Sequence, residues 1–566
     1  MICRIKELKL FLVGFLLLAC CPVPAQSQAD ENAAHQLFQS AKWPELVHLV
    51  DSIPNRSAEL DYEYGLALAH LERWEDARRA LLAGRSLRPR DKRFPVELAG
   101  VAFRQKNYPQ TIAWLHRALR LDPRNEDEYV PDFLATAYFL QGNLEAALKY
   151  WNRVGKPQIA ELRNEPALRI RPALLDHAIA FSPESELQLG DLLASQARLE
   201  GLEIFPTHRF DLVARDEGRF DSVLRAQEMN GFGGSKLESA LRVLRGLPFQ
   251  EVNPEYYNLG GRAINVVSLL RWDPDKRRLR AEVSAPLGQS PQWHYRISTD
   301  LRNENWDVRN GFTGPAPVLA SLNLRREEGD AEVTRLMGWR WRWTVGTELS
   351  HRDYRDAAPG TTFTPQLLAQ GYQLKQTAAI AYQLLHSPEH RLTVTTGASV
   401  QAARIWSTPQ QSFQKLQGSL EARWHPQSRG DDYETRWRVR AGKTFGQPSF
   451  DELFMLGLER DNDLWMRAHI GVRDGRKGSA PLGQDYFLSN LQTDKNLYGN
   501  GLITFKLGPF LDVGKMNGPV STLGSQKWLF DTGAQTTVRV LGVGVVFVYG
   551  KDLRTGNNAY YTTISR

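Results

Sequence analysis

Trp339-Arg340-Trp341-Arg342-Trp343-Thr344-Val345-Gly346-Thr347-Glu348-Leu349-Ser350 is the stretch on which the fold turns. Its odd positions carry Trp339, Trp341, Trp343, Val345, Thr347 and Leu349; its even positions carry Arg340, Arg342, Thr344, Gly346, Glu348 and Ser350. Successive side chains of a β-strand point to opposite faces, so one face is apolar and aromatic and the other polar or charged. Residues 278–287 repeat the pattern, with Leu279, Ala281, Val283, Ala285 and Leu287 opposite Arg278, Arg280, Glu282 and Ser284. Residues 293–302 set Trp293, Tyr295, Ile297, Thr299 and Leu301 against His294, Arg296, Ser298, Asp300 and Arg302. Similar segments lie at 415–424, 433–443, 534–540 and 545–550. Runs of about ten residues have the length a tilted strand needs to cross a bilayer. Strands of soluble proteins average only about 5–6 residues. Residues 262–566 are therefore expected to form a transmembrane antiparallel β-barrel of 14 to 16 strands, with lipid outside, a polar lumen and aromatic girdles. Closure is expected because hydrocarbon satisfies no open sheet edge. A secreted β-domain is the alternative.

The composition agrees. The chain has 566 residues, 42% hydrophobic and 24% charged, with a formal charge of +7. A mean hydropathy of −0.43 excludes a bundle of membrane helices, which needs repeated apolar runs of about 20 residues. Disorder is excluded too, since 10% of the residues are aromatic.

The first residues read as an export signal, with Arg4, Lys6 and Lys9 before an apolar run from Leu10 to Ala19. Val23-Pro24-Ala25 offers small-residue cleavage, giving a signal peptide over 1–25. Leu17-Leu18-Ala19-Cys20 also resembles a lipoprotein box, which would make Cys20 a lipidation site; otherwise Cys20 only ends the apolar core. Cys3, Cys20 and Cys21 are the only cysteines, so a chain cut after them has no disulfide, thiolate metal site or cysteine nucleophile. That suits an oxidising compartment.

Residues 30–158 carry a repeat. Tyr64-Gly65, Leu68, Trp74, Ala77, Leu81 and Pro89 align with Leu98-Ala99, Ala102, Tyr108, Thr111, Leu115 and Pro123 at a constant offset of 34. A third unit contains Ala135, Leu144, Ala147 and Trp151, and a truncated first unit carries Trp43. The array resembles the tetratricopeptide repeat, although the family's first-helix Trp is absent. The resemblance implies an α-solenoid whose concave face binds a peptide or partner protein; a scaffold with no ligand is the plainer reading.

Residues 159–261 lose the helical period. A short strand is expected near 174–181, a helix over 184–202, and another over 237–247. Arg209–Val213 and Phe220–Leu224 flank Asp216-Glu217-Gly218 as a hairpin. This α+β linker resembles part of a POTRA domain, the periplasmic module in front of certain outer-membrane barrels.

Two segments sharpen the barrel half. Phe450-Asp451-Glu452-Leu453-Phe454-Met455-Leu456-Gly457 precedes a long loop containing Met466-Arg467-Ala468-His469, and Phe510-Leu511-Asp512-Val513-Gly514 follows. Residues 262–566 thereby resemble the bacterial surface antigen superfamily of BamA-like proteins and two-partner secretion transporters. That family carries V/L-R-G-F/Y on a loop folded back into the barrel and F-x-D-x-G on a neighbouring strand. The resemblance implies that Arg467 locks the loop to the wall by pairing with Asp512. Ala468 and His469 depart from the Gly and aromatic of the motif, Gln492 stands near where a second wall acid is expected, and Tyr560 to Arg566 lack a terminal aromatic.

No HExxH, GxSxG or P-loop appears, and the twelve His lack ligand spacing. Ser350-His351-Arg352-Asp353 holds triad residue types, but alternation sends Ser350 and His351 to opposite faces. Neither enzyme activity, a cofactor, a metal nor a nucleic-acid partner is expected. Arg473, Arg476 and Lys477 read as a solvated loop tip, while arginine-lined strands suit lipopolysaccharide or an acidic polysaccharide. The expected protein is a non-enzymatic outer-membrane barrel of a Gram-negative-type bacterium with a periplasmic protein-binding arm, assisting assembly, secretion or translocation. Alternatives are a polysaccharide-export porin, a surface-lipoprotein translocator and a soluble periplasmic interaction scaffold.

Overall fold

The computed structural model describes residues 25–122, 128–233, 236–309, 311–357, 362–427, 431–499, 503–525, 527–540 and 543–565. The signal segment up to residue 24, Cys20 and Pro123 lie outside the described residues.

The first of two compact units ends at Gln141. Its helices are α1 (Ala25–Gln39), α2 (Trp43–Asp51), α3 (Ala58–His70), α4 (Trp74–Leu87), α5 (Arg93–Arg104), α6 (Tyr108–Leu121) and α7 (Tyr129–Gln141). Trp74 and Tyr108 open α4 and α6 at equivalent positions, and Pro89 lies in the turn after α4. Ser57 caps α3 by accepting from the Leu60 amide, and Asn107 caps α6 by accepting from Gln110. Helices α1 to α5 contribute buried apolar residues to one core, among them Ala34, Leu46, Val50, Leu68, Ala77, Leu81, Phe94 and Leu98. At Gly65 a Cβ would lie 2.7 Å from Leu81 Cγ, so α3 and α4 approach too closely there for any side chain.

The second unit begins at Gly142, so α8 (Leu144–Trp151), which carries the fully buried Ala147, groups with the β-rich half. The reason is visible in its partners. Trp151 packs on Phe220, Asn152 Oδ1 accepts from the Leu189 amide at 2.8 Å, and Lys149 pairs with Glu389.

Next come strand Gln158–Glu165, α9 (Pro172–Ala178), α10 (Leu189–Gly201) and strands Thr207–Ala214 and Arg219–Gln227. The last two form the expected antiparallel hairpin, and Gln158–Glu165 runs parallel to Arg219–Gln227 on its other side. The strand expected near 174–181 is helix α9 instead. Pro172 sits in its first turn, where a fixed φ favours helix, and Leu174, Leu175 and Ala178 bury one helical face. The helix expected over 184–202 starts only at Leu189, because Glu186 is extended and bridges to Gln158. Helix α11 (Lys236–Leu244) leads into the sheet.

The sheet holds fourteen strands of seven residues or more among the described residues: Asn265–Arg271, Lys276–Leu287, Ser290–Arg309, Val318–Met337, Trp341–Arg355, Gly371–Ser387, Leu392–Trp406, Gln411–Trp424, Tyr433–Gly446, Asp485–Gly499, Ile503–Asn517, Leu529–Val540, Val543–Asp552 and Asn558–Ser565. Each pairs antiparallel with the next. The short pieces Glu251–Val252 and Glu255–Tyr256 pair with Asn265–Arg271. The strand anticipated from Trp339 begins at Trp341, since Gly338 has φ 62° and Trp339 and Arg340 complete the turn.

Burial along these strands is inverted. On Trp341–Arg355, Glu348, Ser350, Arg352 and Tyr354 are buried, while Trp341, Val345 and Leu349 are exposed. The same inversion leaves Leu279, Leu301, Ile380, Val400 and Leu416 outside, and Arg278, Asp300, Lys375 and Lys415 inside. Trp341 packs against Tyr382, ring centres 4.3 Å apart and planes tilted by 37°, near one end of the strands, and Tyr372 is paired with Trp406 near the other. Tyr372 and Tyr382 are ten residues apart on one strand. At ~3.4 Å per residue the two positions lie roughly 34 Å apart along the strand, which a tilt of about 40° reduces to roughly 26 Å along the axis from which the strand is tilted. No described helix is long and apolar enough to cross a membrane, which says nothing of strands.

Candidate functional site: an inward loop held by buried charge

Strand Tyr433–Gly446 pairs directly with Asp485–Gly499, beginning at Lys443 opposite Asp485. Residues 447–484 therefore leave the wall and return to it as an insertion. They do not project into solvent: Leu456, Leu458, Met466 and Ser479 are fully buried. Phe454–Met455 pairs with Leu482–Gly483, and Val472–Arg473 with Arg476–Lys477; Lys477 then bridges to Trp306 of strand Ser290–Arg309.

Three charged contacts tie this loop to the inner wall. At its start, Asp451 accepts from Arg326 at 2.8 Å and from the Tyr354 hydroxyl at 2.5 Å. Glu452 takes Lys415 at 2.7 Å, Gln373 at 2.9 Å and Lys375 at 3.5 Å. Arg352, wholly buried, reaches both acids at 3.4 Å and donates to the Ser449 hydroxyl. Glu348 accepts from Arg326 at 2.7 Å, and Glu328 lies 3.0 Å from the same guanidinium. Four cations from four strands thus meet four carboxylates, a balance that buried charge requires.

Midway, Asp461 accepts from Arg271 at 2.7 Å, Arg278 at 2.6 Å and Lys477 at 3.1 Å, and Lys477 also binds Glu304 at 2.7 Å. Lys477 is accordingly buried, which corrects its reading as part of a solvated tip: the hairpin folds inward onto wall acids. Arg476 pairs with Asp275 and Asp307, and Arg473 donates to the Gly314 and Phe312 carbonyls.

At the third contact the Arg467 Nη2 and Nε donate to the two oxygens of Asp512 at 2.7 and 2.9 Å. The Arg467 amide adds 3.1 Å to the same carboxylate, and Nη1 donates to Gln492 at 2.5 Å and Gln535 at 3.3 Å. The planar guanidinium suits such a fork. It also lies 3.7 Å from the Phe510 ring centre, a cation–π contact. Alternation puts Phe510, Asp512 and Gly514 on the inner face of strand Ile503–Asn517 and leaves Leu511 outside. Phe510 is the ring under the guanidinium, Asp512 its counter-ion, and Gly514 leaves room for Met466, whose Sδ would lie 2.8 Å from a Cβ.

Sequence reasoning missed the neighbouring acid. Asp531 accepts from the Ala468 amide at 2.7 Å and from His469 Nδ1 at 2.9 Å, so the two positions that depart from the motif have their own wall partner. Gln492 holds Arg467 as a neutral acceptor and donates onward to Asp494 at 2.7 Å. Beside the Arg467–Asp512 pair opens a cavity of ≈ 380 Å³ whose lining includes Arg436, Arg438, Arg440, Lys506 and Arg539.

No family model and no curated protein matches this sequence. Solved structures do resemble it. BamA from Haemophilus ducreyi lacking POTRA domains 1–3 shares 10% identity over 72% of this chain and 84% of that one, at a TM-score of 0.42. CdiB from Escherichia coli shares 14% over 72% and 75%, at a TM-score of 0.43. MamA from Desulfovibrio magneticus RS-1 shares 19% over 23% of this chain and 73% of that one, at a TM-score of 0.21. The likeness is one of outline; the roles of individual residues rest on the contacts above.

The first unit has a separate groove of ≈ 640 Å³, lined among others by His70, Trp74, Glu97, Phe103 and Phe133. Of the repeat positions singled out in the sequence, Trp74 and Leu81 line it; Gly65 and Ala77 pack helices together.

Proposed function

We propose that this chain is a non-enzymatic outer-membrane β-barrel with a periplasmic arm, serving the assembly, secretion or translocation of a protein. The carrying observation is the inverted burial: leucines, valines and tryptophans outside, paired charges inside. Water would penalise such a surface, whereas a bilayer flanked by two aromatic bands accommodates it. The barrel closes between its last strand and the short first pieces.

The inward loop is its lid, and the Arg467–Asp512 pair is the lock of a surface-antigen-type transporter, supported by the F-x-D-x-G match. The helix pairs before Gln141 act as tetratricopeptide repeats, with the aromatic groove taking a peptide of the client or partner. The strand–helix–helix–strand–strand module, with its first strand parallel to its last, acts as a POTRA domain. A polysaccharide-export role is the second reading, favoured by the arginine-lined cavity.

Fractionation with and without heating tests the first statement. A heat-modifiable band in the outer-membrane fraction supports it, and solubility without detergent overturns it. Pull-down through the full chain, compared with Trp74→Ala and Phe103→Ala variants, tests the groove: capture of a periplasmic protein lost on substitution supports it.

A further inference from the structure

The cavity of ≈ 380 Å³ beside the Arg467–Asp512 pair is a product of strand alternation. Arg436, Arg438 and Arg440 occupy every second position of strand Tyr433–Gly446, so they share its inner face at steps of about 7 Å. Their side chains are 44%, 37% and 10% exposed in that order. Arg436 lies nearest the sheet end whose turn 388–391 meets α8 through Lys149 and Glu389, and Arg440 lies deepest, against the inward loop. Lys506 and Arg539 add two cations from the strands beyond.

Acids do not cancel this charge. Glu434, Asp463 and Asp494 line the cavity, and Glu421 and Arg423 stand beside it. Six cations (Arg423, the three ladder arginines, Lys506 and Arg539) therefore face four carboxylates, with Arg467 already matched by Asp512. Arg436 pairs with Glu434 at 2.8 Å and Arg438 with Glu421 at 2.7 Å. A guanidinium has five donors, and one carboxylate engages two of them at most in a fork. Among the described residues the buried Arg440 Nε has no hydrogen-bond partner.

The deepest arginine is occupied by the chain itself. Arg440 Nη1 donates to the Asp463 carboxylate at 2.9 Å and Nη2 to the Asp463 carbonyl at 2.7 Å. The Asp463 side chain is 86% exposed, and an ion pair with so open a member is weak enough to exchange.

We infer that Arg436, Arg438 and Arg440 form a ladder for an extended acidic peptide, which enters from the end near α8 and displaces Asp463 from Arg440. This rests on the protein-transport reading. A peptide fits better than an acidic sugar for two reasons. An extended chain with carboxylates on alternate residues repeats at the spacing of the arginines. Asp463 also places a peptide carbonyl and its carboxylate together on one guanidinium.

Fluorescence anisotropy with the purified full chain in detergent tests this. The probe is a labelled threonine peptide with aspartate at every second residue. Saturable binding that weakens about tenfold in Arg438→Gln and in Arg440→Gln supports the inference. Arg436→Gln, on the most open rung, should weaken it similarly without touching the loop, and Asp463→Asn should tighten it several-fold. Unchanged affinity in the arginine variants overturns the inference. So does equal binding of a peptide with its aspartates contiguous, or with lysine in their place. Tighter binding of a short oligogalacturonate overturns it in favour of an acidic sugar. No binding by a parent chain that keeps its heat-modifiable band overturns the inference alone, whereas a parent soluble without detergent overturns the barrel reading beneath it.

Discussion

Arg467 and Asp512 form a two-pronged ion pair, with both carboxylate oxygens held at 2.7 and 2.9 Å and neither side chain open to water. Removing one member strands the other in a buried site, at a cost of about 3–5 kcal/mol. Arg467→Ala and Asp512→Asn are each expected to release the loop centre. Hydrogen exchange of peptides spanning residues 460–471 reads this directly, and unchanged protection in both variants sinks the lock. Arg467→Lys should recover only part, because an ammonium cannot repeat the fork.

Glu452 carries a larger electrostatic share than its single charge suggests. Glu452→Gln leaves Lys375 and Lys415 with one carboxylate fewer, so the start of the loop should loosen even while Arg467 stays bound. Pore conductance in planar bilayers checks this. The variant is expected to show more frequent openings than the parent, and Lys415→Met combined with Glu452→Gln should restore part of the quiet state.

The two wall glycines under the loop differ in what they face. A Cβ at position 550 would lie 2.5 Å from the Arg467 carbonyl oxygen, whereas one at 514 would meet the flexible Met466 side chain. Gly550→Ala should therefore lower the heat-modification temperature more than Gly514→Ala. Equal shifts would show that the loop gives way as readily as a methionine does.

In the first unit, burial raises the Glu97 carboxyl above its ordinary pKa, and the hydrogen bond from the Tyr62 hydroxyl at 3.2 Å offsets part of this. A raised carboxyl binds its proton more tightly when folded. Stability is greatest below the unfolded pKa and is lost as pH climbs through the folded one. Exchange protection of α5 should fall on going from mildly acidic to neutral buffer, and Glu97→Gln should flatten that fall. A slope unchanged by the substitution would remove Glu97 as its source.

How much of this could be read from the chain follows from how local each signal is. Trp341, Val345 and Leu349 announce an outward face because the two-residue period lies within one strand. Phe510, Asp512 and Gly514 are legible together for the same reason. Asp451 and Glu452 stood in plain view without a role, because their cations come from positions 326, 352, 375 and 415 on four separate strands. His469 needed Asp531, 62 residues away. Strand Gln158–Glu165 was missed because its parallel partner begins at Arg219 and its own residues barely alternate in burial. Lys477 misled because a run of basic residues beside a glycine imitates a loop tip.

The direct ladder between Tyr433–Gly446 and Asp485–Gly499 has a consequence for how the molecule is made. The eleven residue pairs of that ladder, from Tyr433–Lys495 to Lys443–Asp485, use no residue of 447–484, and the Thr444 amide then donates to the Gln484 carbonyl at the insertion's end; the wall can zip up around an insertion not yet placed. Closing a flexible loop of that length adds an entropic cost that grows only with the logarithm of its size. The charged loop would then meet a wall face already lined by its partners, so the expected order is wall first and loop last.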